Sequence, residues 1–323
     1  MKKINITEIN GFYFGHAHDV DALTGCTVII SKDGAIAGVD VRGGSPGTRE
    51  TDVLNPVNLV EEVHAVFLSG GSAFGLDVGG GIMKYLEEQG IGFDVQVTKV
   101  PIVSGTILFD LFPGDSFTRP DKKMGYTACQ NAFNNCPFIE GSVGAGIGAT
   151  VGKGLGYEYA MRGGIGIHAV QIGELQIGAV IAVNAFGDIV DLNTNQVLAG
   201  MYDRKTKKFM DSGQQIQKQL YRQSTNRFSG NTTIGAVVTN AKLSKSQANK
   251  IASIAHDGYA RAIRPSHTFV DGDTVFTLSS NRIEVDLNSL SMLAVEVVEQ
   301  AIYNAVLNAK TVAGIPSFAE VNH

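Results

Sequence analysis

Gly230-Asn231-Thr232-Thr233-Ile234-Gly235-Ala236-Val237-Val238-Thr239 is the point at which the character of the chain changes. The run from Thr232 is β-branched and apolar, a composition that suits a buried central strand. The stretch before it, from Asp211 to Gly230, is rich in glutamine, basic residues and serine and has little to bury, so it reads as an exposed, mobile segment. A polar arm thus leads straight into a buried strand whose first residues carry hydroxyls. An internal cut that creates a new N-terminus needs this arrangement, although a threonine at a strand start is more often structural.

Downstream, Ser244 and Gln247 form a capping box for a helix with Ala248, Ile251, Ala252, Ala255 and Tyr259 on one side. A strand near Thr274 to Leu278 follows. A long helix from about Asn288 to Lys310 then carries a stripe of Leu290, Leu293, Ala294, Val297, Val298, Ala301 and Ala305. These last elements need partners from earlier in the chain to cover them.

Upstream, Cys26 to Gly43 reads as a hairpin turning at Lys32-Asp33-Gly34. The run from Pro56 to Val63 has helix character, and His64 to Leu68 is a buried strand ending at Ser69-Gly70-Gly71. Ser72 is placed to cap a helix running to about Gln89. Gly79, Gly80 and Gly81 inside it each cost about 1 kcal/mol relative to alanine, so another element should pack closely there. Residues 121 to 134 read as a short helix, and a glycine-rich stretch follows from Gly141 to Gly156. Gly163 to Ile172 and Leu175 to Val190 read as antiparallel strands. The order points to a layered α/β fold in which helices cover a largely antiparallel sheet.

At 323 residues with 44% hydrophobic content, the chain can build a well-buried core. The net charge of −5 comes from 31 acidic and 26 basic residues without a long block of either sign, which argues against nucleic acid or an anionic membrane as a partner. Neither a secretory h-region nor about 18 uninterrupted apolar residues is present, and a cytoplasmic location is expected. Cys26, Cys129 and Cys136 form no CxxC pair and read as reduced thiols. The 39 glycines cluster, as tight turns and close backbone contacts require.

Three motifs invite cofactor or metal readings. Gly144-Ala145-Gly146-Ile147-Gly148-Ala149 fits a dinucleotide fingerprint, but the residues after it hold too many glycines for the helix that motif needs. Gly152-Lys153 fails as a phosphate-binding loop, with Ile147 where the first glycine belongs and Gly154 in place of serine or threonine. His16 and His18 can face one way from a strand, yet no second cluster accompanies them. Neither a cofactor nor a metal is expected.

Leu68-Ser69-Gly70-Gly71-Ser72-Ala73-Phe74-Gly75-Leu76-Asp77 resembles the signature of the self-processing aminopeptidases, the family of L-aminopeptidase/D-esterase (D-aminopeptidase), β-peptidyl aminopeptidases and nylon-oligomer hydrolases. The resemblance continues in order through Pro101-Ile102-Val103, Phe109-Asp110-Leu111, Gly144-Ala145-Gly146, Gly152-Lys153 and Ala182-Val183-Asn184-Ala185. It extends to Asn231-Thr232-Thr233, His256-Asp257-Gly258 and Asp271-Gly272-Asp273-Thr274. It implies a four-layer αββα sandwich, like N-terminal-nucleophile hydrolases but with the distinct connectivity shared with ornithine acetyltransferase. It also implies a single domain, cut between Asn231 and Thr232 into a larger chain of residues 1 to 231 and a smaller one of 232 to 323. These would stay together and assemble as a homotetramer.

On this resemblance Thr232 is nucleophile and, through its freed α-amino group, base. Asn184 is the side-chain donor to the oxyanion, with Gly144, Ala145 and Gly146 as backbone candidates and Lys153 as an orienting group. Asp271 and Asp273 are candidates for holding a substrate's ammonium. Some relatives carry a serine and a glutamate there, which leaves the aspartates' roles open. Thr233 is the fallback nucleophile. The expected activity is hydrolysis of N-terminal aminoacyl amides, peptides or esters. An acyltransferase of the ornithine-acetyltransferase type and an uncut protein that binds a small ligand are the alternatives.

Overall fold

The computed structural model describes residues 1–220 and 230–322. Eight strands carry the architecture: β1 (Tyr13–Asp19), β2 (Thr24–Val41), β3 (Glu62–Ser69), β4 (Val103–Ile107), β5 (Gly164–Ile172), β6 (Leu175–Asn184), β7 (Thr232–Ala241) and β8 (Thr274–Ile283). Their order is β5-β6-β7-β8-β2-β3-β4, with β1 paired to the first half of β2. The sheet is mixed, because β7 runs parallel to β8 and β3 parallel to β4. The longer helices are α1 (Val78–Glu88), α2 (Lys122–Phe133), α3 (Ser212–Leu220), α4 (Lys245–Ala262) and α5 (Leu287–Leu307).

Side-chain alternation along the strands sorts apolar residues into three separate cores. Ile29, Val66, Leu68, Val180, Ala182, Ile234, Ala236, Val238, Phe276 and Leu278 fill a core between two sheet layers. Their odd or even neighbours face outward. Val28, Ile30, Ala65 and Phe67 meet α1 and α2, while Ala179, Ile181, Val183, Val237 and Val275 meet α4 and α5. Three cores separate four layers, so the fold is an αββα sandwich. By length and composition α5 is apolar enough to cross a membrane, but here its stripe packs on the sheet.

Several expectations change. Residues 24 to 41 form one 18-residue strand and no hairpin. Lys32-Asp33-Gly34 makes a bulge, and the two halves of β2 pair with different neighbours, β1 and β8. That long strand carries the sheet from one layer into the other. No helix forms over 56 to 63. Val57 and Leu59 point into solvent, and the Lys245 ammonium holds the loop through the carbonyls of Val53, Asn58 and Val60. Ser72 caps nothing, since it lies in a 3-10 turn, Ser72–Asp77, that precedes α1. The polar segment begins as a helix, α3, because Asp211 accepts from Gln214 N–H and buried Asp188 accepts from the Ser212 N–H and hydroxyl. The rest of that expectation, 221–229, lies outside the described residues.

The glycines of α1 are explained by α2. A Cβ on Gly81 would lie 1.7 Å from the Lys122 carbonyl oxygen, whereas one on Gly80 would meet only the flexible end of the Lys122 side chain. Gly81→Ala should therefore destabilise the protein by about 1–3 kcal/mol through overpacking. Gly80→Ala should be neutral or stabilise it by up to about 1 kcal/mol through helix propensity. Urea unfolding of the two variants checks the pair.

Candidate active site

Residue 232 lies where three segments converge. The antiparallel register of β7 on β6 sets Thr232 directly opposite Asn184. On its other side β7 runs beside β8, and Asn231 bridges to Asp271 just before β8 begins. Strand alternation gives Thr232 and Asn184 the face that Ile234 and Ala182 use, the one turned into the gap between the sheets. Thr232 is 3% exposed in the uncut chain.

Its hydroxyl donates to the carbonyl oxygen of Asn231, the residue before it. The same oxygen accepts from Gly272 N–H at 3.2 Å. One peptide carbonyl is thus polarised by a backbone amide and touched by the neighbouring hydroxyl. Glycine at 272 permits this approach, because a Cβ there would come within 2.9 Å of Thr232 Oγ1 and 2.7 Å of the Ser45 carbonyl oxygen. Thr233 points to the other face, and its Oγ1 has no hydrogen-bond partner among the described residues.

Asn184 is fixed from several directions. Its Oδ1 accepts from Lys153 Nζ at 2.8 Å and from Thr150 N–H at 3.0 Å, and its Nδ2 donates to the Phe109 carbonyl at 2.9 Å. An amide nitrogen has two hydrogens, so one remains for another acceptor. Lys153 Nζ also donates to the Asn184 carbonyl at 3.1 Å. Lys153 is buried, and burial pushes its ammonium down to about 7 against the pull of Asp271 and Asp110.

Asp271 is pushed up to about 6 by burial and then by Asp273, against Thr268 and Lys153. Both carboxylates face protein donors. Asp271 accepts from the Thr268 N–H at 2.9 Å and hydroxyl at 2.5 Å, and Asp273 accepts from Thr233 N–H at 2.8 Å. Asp110, which the sequence marked only as part of the family-like block Phe109-Asp110-Leu111, is a buried member of the same group. It accepts from Gly71 N–H at 2.6 Å and the Thr24 hydroxyl at 2.8 Å, and burial lifts it to about 6.

The glycine turn is committed elsewhere. Gly144 N–H donates to His18 Nδ1, Ala145 N–H to Thr27 Oγ1 and Gly146 N–H to the Val143 carbonyl. His16 is similarly tied up, with its ring nitrogens on Thr27 Oγ1 and the Ile139 carbonyl. The donor that does reach the 231 carbonyl, Gly272 N–H, was missed in the sequence. The signal available was a glycine flanked by two acids shortly before a strand.

The sequence matches Peptidase family S58 over residues 5–318. This chain belongs to that family. An uncharacterised aminopeptidase of Mycobacterium leprae is 37% identical over 97% of this S58 chain and 93% of its own. A 6-aminohexanoate-oligomer endohydrolase of Kocuria sp. is 30% identical over 91% and 84% respectively. Among solved structures, the L-aminopeptidase D-Ala-esterase/amidase of Ochrobactrum anthropi superposes with a TM-score of 0.67 at 18% identity, over 94% of this chain and 86% of that one. A Burkholderia sp. β-aminopeptidase gives 0.66 at 18% identity, over 98% and 92%. Those neighbours establish the N-terminal-nucleophile-hydrolase fold. With the family and the closer relatives, this S58 protein is a hydrolase of peptide and amide bonds.

The buried lysine has a pH signature. Its folded value of about 7 lies below its ordinary 10.5, so the unfolded chain binds the extra proton between those limits. Stability from this group therefore rises with pH across that window and is lost as pH falls from about 10.5 to about 7. Lys153→Met should be most favourable, relative to the parent, at pH 6 and lose much of that advantage by pH 9. Urea unfolding of both proteins at the two pH values measures the change.

Proposed function

We propose that this S58 hydrolase cuts its own chain between Asn231 and Thr232 and then uses Thr232 as nucleophile against short peptides and aminoacyl amides. The observation that carries the proposal is the Thr232 hydroxyl on the Asn231 carbonyl, with Gly272 N–H on the same oxygen. In maturation Thr232 Oγ1 adds to the Asn231 carbonyl carbon, and the oxyanion forms where Gly272 N–H already donates. The C–N bond then breaks, leaving an ester and a free amine on Thr232. Water hydrolyses the ester, giving an Asn231 carboxylate and restoring the hydroxyl.

A lone hydroxyl is a weak nucleophile and needs a base within reach. The freed α-amino group, with an ordinary value of about 7.7–8.0, is partly neutral near pH 7 and lies on the same residue. In turnover it takes the hydroxyl proton as Oγ1 attacks the substrate carbonyl, then returns it to the departing amine. Water resolves the acyl-enzyme. Asn184 lies across the strand pair with one N–H unspent, and Lys153 locks its amide oxygen, so it is the side-chain donor to the turnover oxyanion. Of the two aspartates, Asp271 is the one to complement a substrate's free ammonium, because both oxygens of Asp273 are taken by Thr233 and His267.

The relatives named aminopeptidase and 6-aminohexanoate-oligomer endohydrolase have amide-bond hydrolysis in common. The proposed substrates share that chemistry. After the cut, residues 232–323 stay bound because β7 is inserted between β6 and β8, and β8 pairs in turn with β2.

Thr232→Ala should give an intact chain with no turnover, and Thr232→Ser should still cut and turn over. Denaturing electrophoresis with an aminoacyl p-nitroanilide assay reads both, and a Thr232→Ala chain that matures would refute the assignment. Asn184→Ala should lower kcat by about a hundredfold or more, the usual cost of losing an oxyanion donor.

A further inference from the structure

Cleavage creates a mechanical problem at the head of β7. Before it, Thr232 is held by peptide bonds on both sides. Afterwards its N-terminal side is free, yet the hydroxyl and the new amine must stay within a fraction of an ångström of a productive position. Pairing with Asn184 holds one edge of the strand end. On the other edge, the first fixed contact beyond Thr232 is the Thr233 N–H, which donates to Asp273 Oδ1 at 2.8 Å. That tether is only as well placed as the carboxylate that forms it.

Asp273 is itself held by one residue, His267, which grips its other oxygen twice. The His267 backbone N–H donates to Asp273 Oδ2 at 3.0 Å and the ring Nδ1–H at 2.8 Å. The backbone of His267 adopts φ +56°, a left-handed conformation that few side chains tolerate but histidine and asparagine accept more readily than most. This conformation aims the amide and the ring at the same oxygen. The ring is boxed in by α4, edge-on to His256 with centroids 4.8 Å apart and stacked on Tyr259 at 5.9 Å. His256 is anchored in turn by its Nε2–H, which donates to the Asp40 carbonyl on β2 at 3.0 Å. A continuous chain of contacts therefore runs from β2 through His256, His267 and Asp273 to the amide next to Thr232.

We propose that His267 is a positioning residue for the Thr232 chemistry: by fixing Asp273 through two donors, it holds the tether that keeps the hydroxyl and freed amine of Thr232 aligned once the chain is cut. The inference rests on the assignment of Thr232 and adds a residue that touches neither substrate nor reacting atoms. Its consequences fall on kcat and on the rate of self-cleavage, because both need the same alignment. Substrate affinity is left nearly unchanged.

The test is a set of three substitutions in the full-length protein. His267→Asn keeps a donor close to the Nδ1 position and tolerates the left-handed backbone. His267→Gln keeps an amide donor but carries it one bond too far. His267→Gly accepts the backbone and has no side-chain donor. Each variant is followed by intact-mass spectrometry for self-cleavage and by kcat and KM on an aminoacyl p-nitroanilide, with thermal unfolding alongside. The asparagine variant should stay within about threefold of the parent. The glutamine and glycine variants should each lose about tenfold or more in kcat and in cleavage rate, with KM within about twofold, as misplacement of a reacting group predicts.

Full rates in the glutamine or glycine variant would overturn the proposal. So would an asparagine variant as impaired as the other two, because loss of ring packing alone would then explain the effect. If the glycine variant does not fold, the asparagine and glutamine pair decides between these outcomes. Thr232→Ala, carried through the same assays, keeps the two claims apart. Maturation of that variant sinks the assignment of Thr232, whereas an inert Thr232→Ala chain with indifferent His267 variants sinks only the positioning role.

Discussion

A carbonyl at the entrance to a buried strand must find a donor, and the rest of the site follows from how Asn231 finds one. The Asn231 oxygen is too deep for water to serve it, so its partner has to come from the protein. β7 has an antiparallel neighbour on one side and a parallel neighbour on the other, and the parallel one brings Gly272 N–H to that oxygen. A group placed to satisfy a ground-state carbonyl is also placed to stabilise the anion formed when that carbonyl is attacked. The antiparallel neighbour brings Asn184 across from Thr232. Fold stability and chemistry thus draw on the same few contacts.

The electrostatics have the same economy. Lys153 lies buried among Asp110, Asp271 and Asn184, and its charge offsets carboxylates that burial would otherwise neutralise. A buried cation of this kind is costly, and Lys153 offsets part of that cost through two hydrogen bonds to Asn184 and the nearby charge of Asp271 and Asp110. It gives Asn184 a single orientation, with the amide oxygen toward the ammonium and the nitrogen toward the Phe109 carbonyl.

The sequence disclosed the parts of this that depend on near neighbours. The β-branched run from Thr232, the capping box at Ser244 and Gln247, and the stripe of α5 each follow from local periodicity, and each forms. The glycines of α1 announced a close partner, which is the Lys122 carbonyl. Lys32-Asp33-Gly34 misled because a bulge and a hairpin turn use the same residues. Only the long-range pairing of β2 with both β1 and β8 distinguishes them. At the site, Thr232, Asn184 and Lys153 stood out through resemblance to a family, not through pattern. Gly272 and His267 did not stand out, since their importance lies in contacts made across the folded chain.

The central claim is that the peptide bond after Asn231 is broken by the hydroxyl that touches it. Its most direct test is to follow the wild-type protein from synthesis by intact-mass spectrometry in the presence of hydroxylamine, and to sequence the new N-terminus. The account predicts fragments of roughly 24 and 10 kDa, judged from chain length. The smaller should begin Thr-Thr-Ile, and part of the larger should end in an Asn231 hydroxamate formed by capture of the ester. An uncut chain that hydrolyses substrate, or a cut at any other bond, would contradict it.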